Sequence, residues 1–168
     1  MRFLKIFPLL TFVAVALSGC DNNRIKKQND FAFVDLSKSF SSSEIASQEK
    51  ERIDSIIRTM QDVMDKSNKE YDKLSPEKAE EARKADAVNM RSFLEQSKHS
   101  ARLSSLKVIQ EEIEKMRTES GYSVILLRSS IVSADEQMDM TNALVKRLKG
   151  LKVDYGEMPA FTLKNPTE

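Results

Sequence analysis

Between residues 42 and 74, apolar or semi-apolar side chains recur at alternating steps of four and three: Ile53, Ile57, Met60, Met64, Ser67, Tyr71 and Leu74. This spacing is the seam of a coiled coil, and it commits the segment to a long helix that must lie against another helix. Ile56 and Val63 stand seven apart beside the seam and widen its apolar face. Ser75-Pro76-Glu77 ends the run. Proline drives the residue before it out of the helical region and is favoured in the first turn of a new helix, here with Ser75 as its cap. A second helical stretch follows over 76–119, so the two form an antiparallel hairpin. Folding back at 75–76 sets Met60 opposite Met90, Ile57 opposite Phe93 or Leu94, and Ile53 opposite Ser97. The run from Ser97 to Ser105 is rich in serine and alanine, which allows close helix approach and also local looseness. Leu103, Leu106, Ile109, Ile113 and Met116 then restore an apolar stripe that enters a globular base.

The flanks supply that base. Phe31-Ala32-Phe33-Val34-Asp35-Leu36 is a short apolar run with aromatic and β-branched residues, and reads as a strand. The serines within 37–43 are candidate helix caps. Gly121 stands where a helix-ending glycine is common. Tyr122–Leu127 reads as a second strand, apolar enough to be buried on both faces, and Ile131-Val132-Ser133 as a short third one after a turn at 128–130. Asp139 or Thr141 caps a last helix running to Lys149, with Ala143, Leu144, Val145 and Leu148 facing inward. Gly150 ends it, and residues 151–168 read as an irregular or loosely docked tail. The fold class is α+β. A small β-rich base (31–41 and 120–150) carries a long antiparallel coiled-coil arm (42–119) and a short C-terminal helix. So small a base buries little core alone, and its open strand edges invite pairing with another chain. Both features predict an oligomeric hub with projecting arms.

Ahead of the base, Arg2 and Lys5 precede an apolar stretch from Ile6 to Leu17, the layout of a secretory signal peptide over 1–19. The stretch is shorter than the roughly 20 apolar residues a membrane span requires. Leu17-Ser18-Gly19-Cys20 resembles the lipobox of bacterial lipoproteins, which implies cleavage before Cys20 and acylation of its thiol and new amino terminus. More than one acyl chain makes attachment stable. Asp21 and Asn22 resemble a signal that retains a lipoprotein at the inner membrane. Residues 20–30 then read as anchor and polar linker. This predicts a chain on the periplasmic face of the envelope, attached through lipid.

Charge and composition narrow the function. Removal of 1–19 leaves 25 Lys and Arg against 26 Asp and Glu, a net of −1. No strong field points to nucleic acid. One histidine and one cysteine leave no transition-metal cluster to build. No glycine-rich phosphate loop or nucleophile elbow is present, and no cofactor is expected. Asp35 is a lone carboxylate at a helix start, placed to cap that junction. His99 lies mid-arm among serines, where it is exposed. Neither belongs to a catalytic constellation, so the chain reads as a non-enzyme.

Phe33-Val34-Asp35-Leu36-Ser37-Lys38-Ser39-Phe40 resembles the opening strand and helix start of the Skp/OmpH-like periplasmic chaperones. Gly121–Leu127, Ile131–Asp135 and Asp139–Val145 resemble that family's closing segment. The arms match in pattern alone. The resemblance implies a homotrimer, a β-rich body with three helical arms around a cavity, and ATP-independent holding of unfolded outer-membrane proteins. A lipid anchor, a near-neutral charge and a shorter first arm helix depart from that pattern. Burial of apolar client surface by many weak contacts would serve such a role, and flexible methionines suit it. The candidate client contacts are Ile56, Val63, Met60, Met64, Met90 and Phe93, with Ile56 and Val63 better placed to face a cavity and Met60 and Met64 to zip the hairpin. The alternative is a structural or adaptor lipoprotein whose arm reaches a dedicated envelope partner.

Overall fold

The computed structural model describes residues 31–163. Residues 1–30 lie outside the described residues, and with them the expected signal segment 1–19, the expected lipidation site Cys20, the expected sorting pair Asp21 and Asn22, and the expected linker; so do 164–168. Strand β1 (Phe31–Val34) leads into a short helix α1 (Leu36–Ser41), then α2 (Glu44–Tyr71) and α3 (Pro76–Ser120). Strand β2 (Val124–Leu127) follows, then two single turns of 3₁₀ helix and helix α4 (Thr141–Arg147). The class is α+β, with a long helical hairpin on a small base. At 1.5 Å per residue the 45 residues of α3 extend about 68 Å.

The long helix starts at Glu44, two residues after the expected Ser42, and the short α1 that precedes it is separated by a break at Ser42-Ser43. Serine hydroxyls compete with the helix ladder for its carbonyls, and the Ser43 hydroxyl donates to the Phe40 carbonyl at 2.8 Å. The break lets α1 stay on the base while α2 leaves it. Asp35 performs the capping task expected of it: Oδ1 accepts from the Lys38 amide at 2.8 Å. Its own amide donates to Thr141 Oγ1 at 2.8 Å, which ties the start of α1 to the start of α4. Asp139 Oδ1 accepts from the Thr141 amide at 2.8 Å. Ser75 occupies the cap position of α3, but its hydroxyl makes no capping bond. Gly121 takes a left-handed backbone (φ 73°) just past α3, which ends the helix without a Cβ clash.

The two strands run parallel, pairing Phe31 with Val124 through to Val34 with Leu127. The whole hairpin is therefore the crossover that returns the chain beside β1. The expected third strand at 131–133 is absent: the chain turns through Arg128–Ser130, and Val132 projects fully into solvent. A lone bridge from Phe33 to Asp139 covers the far side of β1 instead, with the Met140 amide donating to the Phe33 carbonyl at 2.8 Å. Hence β1 is interior, with Ala32, Phe33 and Val34 buried, while β2 is an edge strand. The prediction that 122–127 is buried on both faces also fails. Only Ile125 turns inward, and Val124, Leu126 and Leu127 keep about two-fifths of their surface in water. The base core is Val34, Ile45, Ile109, Met116, Leu144 and Leu148.

Glu112 is buried within α3 and its carboxylate receives Arg147 Nε of α4 at 2.6 Å. Arg147 also reaches Glu119 at 2.7 Å. These two carboxylates hold the Arg147 guanidinium well above its ordinary pKa and fix α4 across the root of the arm.

Candidate functional site: the arm seam and the groove beside it

The arm closes around Ile56 and Met60 of α2, both buried, with Ile53, Val63, Met90, Phe93 and Leu94 packed against them. Met60, Met90 and Phe93 thus share one cluster, as the fold-back register predicts. The seam keeps Ile53, Met60 and Tyr71 but takes Ile56 and Val63 in place of Ile57 and Met64. Ile45, Glu49, Ile56, Met60 and Tyr71 are the buried residues of α2, so Ile56 and Val63 lie in the seam, while Ile57 and Met64 flank it half-exposed. Met60 therefore zips the hairpin as expected, whereas Ile56 and Val63 pack in the seam rather than off it. Ile56 is 2% exposed, and Met64, like Val63, is half-exposed. At the arm tip, buried Tyr71 donates its hydroxyl to buried Asp86. Burial, together with the Asp86 hydrogen bond and charge, pushes the Tyr71 phenol above its ordinary pKa, with Ser67 and Arg83 acting the other way.

On α3 the predicted stripe holds at Ile109, Ile113 and Met116, which pack in the base core, and fails at Leu103. Leu103 is more than half exposed, and the positions turned inward are Ser97, Ala101, Ser105 and Ile109, four residues apart. Small side chains leave a groove beside α2 there. The tail expected to be irregular or loosely docked fills it. Residues 151–163 have no regular secondary structure, yet they run along the groove as an extended strap. Positions 151, 153, 155, 159, 161 and 163 are buried or half-buried, while 152, 154, 158, 160 and 162 are exposed. That is the period of two that an extended chain has when one side faces an apolar surface.

Polar groups of α2 bind the strap through its main chain. The Gln48 side chain donates to the Leu151 carbonyl at 2.8 Å and accepts from the Val153 amide at 3.1 Å. Arg52 Nη2 donates to the Tyr155 carbonyl at 3.2 Å and to the Glu157 carbonyl. Successive contacts therefore fall at every second residue. From α3, Ser105 Oγ lies 3.1 Å from the Tyr155 hydroxyl. Burial raises the Tyr155 phenol above its ordinary pKa, helped by the Glu49 charge and opposed by the Ser105 bond and by Arg102 and Arg52. Phe161 closes the strap over Ile56 and Met60.

Glu157 breaks the alternation. It belongs to the inward series but is exposed. Beside it remains an open pocket of about 250 Å³, lined by apolar Ile56, Phe93 and Ala101 and by polar Arg52, Gln96 and Glu157 itself, among others. Nearby, buried Glu49 receives Arg102 at 2.9 Å through Oε1, and its Oε2 has no hydrogen-bond partner among the described residues. Arg102 also stacks over the Phe40 ring at 3.9 Å. The strap was open to detection in the sequence: Leu151, Val153, Tyr155, Pro159, Phe161 and Leu163 alternate with Lys152, Asp154, Gly156, Met158, Ala160 and Thr162. Gly156 and Pro159 within it, and Pro166 beyond the described residues, directed the reading towards a loop.

A second feature lies on the base. Phe31, Val124, Leu126 and Leu127 each keep about two-fifths of their surface in water on the two strands. Beside them opens a cleft of about 470 Å³ that includes Leu36, Phe40, Leu106 and Leu127. His99 is exposed on the arm. Among the described residues no helix is long and apolar enough to cross a membrane.

No family model matches the chain, and no curated protein matches it. Among solved structures it is similar to a candidate outer membrane chaperone (OmpH-like) from Caulobacter crescentus CB15, with 16% identity and a TM-score of 0.46 over 81% of this chain and 90% of that one.

Proposed function

We propose that this chain is a membrane-anchored holdase of the bacterial envelope, binding unfolded envelope or outer-membrane proteins without ATP. The observation that carries this reading is the unpaired apolar edge of β2 on so small a base. An exposed edge strand is a template for another chain, and a parallel sheet is ordinarily covered on both faces. Val124, Leu126 and Leu127 are each exposed by 38–43%. A second copy docked there would cover them, and cyclic repetition would array the arms about a shared hollow. The family resemblance of the opening and closing segments supports a trimer as the form of that assembly. Cys20, with Asp21 and Asn22 after it, would hold the assembly at the periplasmic face of the inner membrane.

Inside such a hollow, half-exposed Met64, Val63, Met90 and Phe93 offer scattered apolar contact, with Ile56 and Met60 behind them. Each square ångström of client surface covered contributes about 25 cal/mol, so many weak contacts hold a chain without reading its sequence. The test is aggregation of a denatured outer-membrane protein on dilution, with this protein added at near-equal molar ratio. Suppression supports a general holdase, and unaltered aggregation rejects it.

A second reading, an adaptor for one dedicated partner, is favoured by isolated apolar residues on the outer face of α3, Val88 and Leu103, exposed by 69% and 54%. Capture of a single stoichiometric partner would select it, and capture of many β-barrel precursors would select the holdase.

A further inference from the structure

We infer that the groove between α2 and α3 is a binding track for extended polypeptide, and that residues 151–163 are its resident occupant, displaceable by an incoming segment with apolar residues at every second position. This deepens the holdase reading and rests on it for the source of that segment, an unfolded chain.

The groove recognises main chain rather than side chains. Gln48 offers both a donor and an acceptor to one extended stretch, and Arg52 offers donors to two carbonyls farther along it. Nothing in those bonds depends on the identity of residues 151–157, so any extended segment of the same register can make them. Main-chain bonds supply affinity and alternate pockets supply selectivity in this kind of recognition. The pockets here accept a tyrosine at 155 and a phenylalanine at 161.

The resident is an incomplete fit. Its inward position at 157 carries a glutamate that turns out to solvent, and about 250 Å³ stays open beside it. A segment with a leucine or larger apolar group in that register would fill the space and gain apolar burial the resident lacks. The resident keeps the groove in the absence of a client because it is tethered: α4 holds its start, and a tethered segment acts at high effective concentration. Covered in this way, the buried faces of Ile56 and Met60 stay out of water until a better-fitting chain arrives.

The test uses the full mature chain and a fluorescent peptide of residues 151–163 carrying Glu157→Leu. A control peptide has the same composition with its apolar residues contiguous. In the wild-type chain, saturating test peptide should strip hydrogen-exchange protection from the Val153 amide, and the control should not. Phe161→Ala and Tyr155→Ala, each checked for native helicity, should bind the test peptide about tenfold more tightly than wild type, as expected when the open groove is otherwise about one-tenth populated. Glu157→Leu in the chain itself should weaken peptide binding. Val153 protection that is unchanged by saturating peptide overturns the inference, as does equal affinity for wild type and both release variants. Aggregation of a denatured outer-membrane protein is measured alongside. Suppression that is indifferent to strap variants, with no peptide binding, leaves the holdase and removes the track. Competitive peptide binding without suppression leaves the track and removes the holdase.

Discussion

The ring of Phe161 lies against that of Phe93 with centroids 4.7 Å apart and planes tilted by 44°. The contact joins residues 68 apart in sequence and seats the far end of the strap on the middle of the arm. An aromatic pair in this geometry contributes about 0.5–1.5 kcal/mol beyond the area it buries.

Loss of that ring should open the strap before it unfolds the protein. Phe161→Ala is expected to weaken docking by about 2 kcal/mol, from lost burial and the lost ring pair. The open-to-docked equilibrium constant rises by a factor of roughly 30, because local segments open independently of the global transition. Trypsin cleavage after Lys152 measures it. An unchanged cleavage rate with a native arm would show that the pair does not hold the strap.

The Arg147 link between α4 and α3 should matter more than an ordinary surface ion pair. Arg147→Ala leaves the buried Glu112 carboxylate with Lys115, at 3.3 Å, as its remaining ion-pair partner. Loss of hydrogen bonds to a charged buried group costs about 2 kcal/mol. Removal of the charge from both sides, by Glu112→Gln with Arg147→Ala, should restore part of it. Denaturant midpoints of the two single variants and the double variant give the coupling, and additive losses would contradict the pairing.

Alkali should loosen the arm tip. The Tyr71 phenol is raised in the folded chain, so the fold retains a proton that the unfolded chain gives up near pH 10. Stability from this group is fully present below that pH and declines as pH rises through the folded value. Tyr71→Phe should flatten the alkaline decline while lowering stability at neutral pH, since buried Asp86 loses its hydroxyl donor. Tyr155, raised by its burial, leaves a residual slope. Thermal melts between pH 8 and 11 decide it, and a slope unaltered by Tyr71→Phe would count against the assignment.

A charge on the β2 edge should disperse the proposed assembly. Leu126→Lys places an ammonium where a second copy would cover apolar surface, a means by which natural sheets keep edges single. Light scattering should show a mass near that of one chain for the variant and a multiple for the unaltered protein. A monomeric unaltered protein would remove the hub and with it the shared hollow.

The hairpin was legible because its signals are local and redundant: a seven-residue rhythm, a proline at the turn and a glycine past the end all point the same way. Asp35 was legible for a similar reason, since a capping carboxylate acts on an amide three residues away. The seam register was legible only in part. Ile56 and Ile57 are adjacent, about 100° apart on the helix, and both are isoleucine. Which of them turns inward depends on where α3 and the strap lie, information no short window carries. The third strand failed for want of a partner: Ile131-Val132-Ser133 has strand chemistry, but the turn at Arg128–Ser130 carries it away from β1.

Spacing and caps by themselves determined a helical hairpin on a small mixed base, because helix periodicity and chain-stopping residues act within a few residues of one another. Tertiary structure alone decided that β2 is left at an edge, that Ile56 is enclosed, and that the last described residues lie in a groove floored by Ser97, Ala101 and Ser105. An alternating segment can name the shape it will take. It cannot name the surface it will lie on, because that surface forms only when residues a hundred positions apart, such as Gln48 and Val153, are brought within hydrogen-bonding distance.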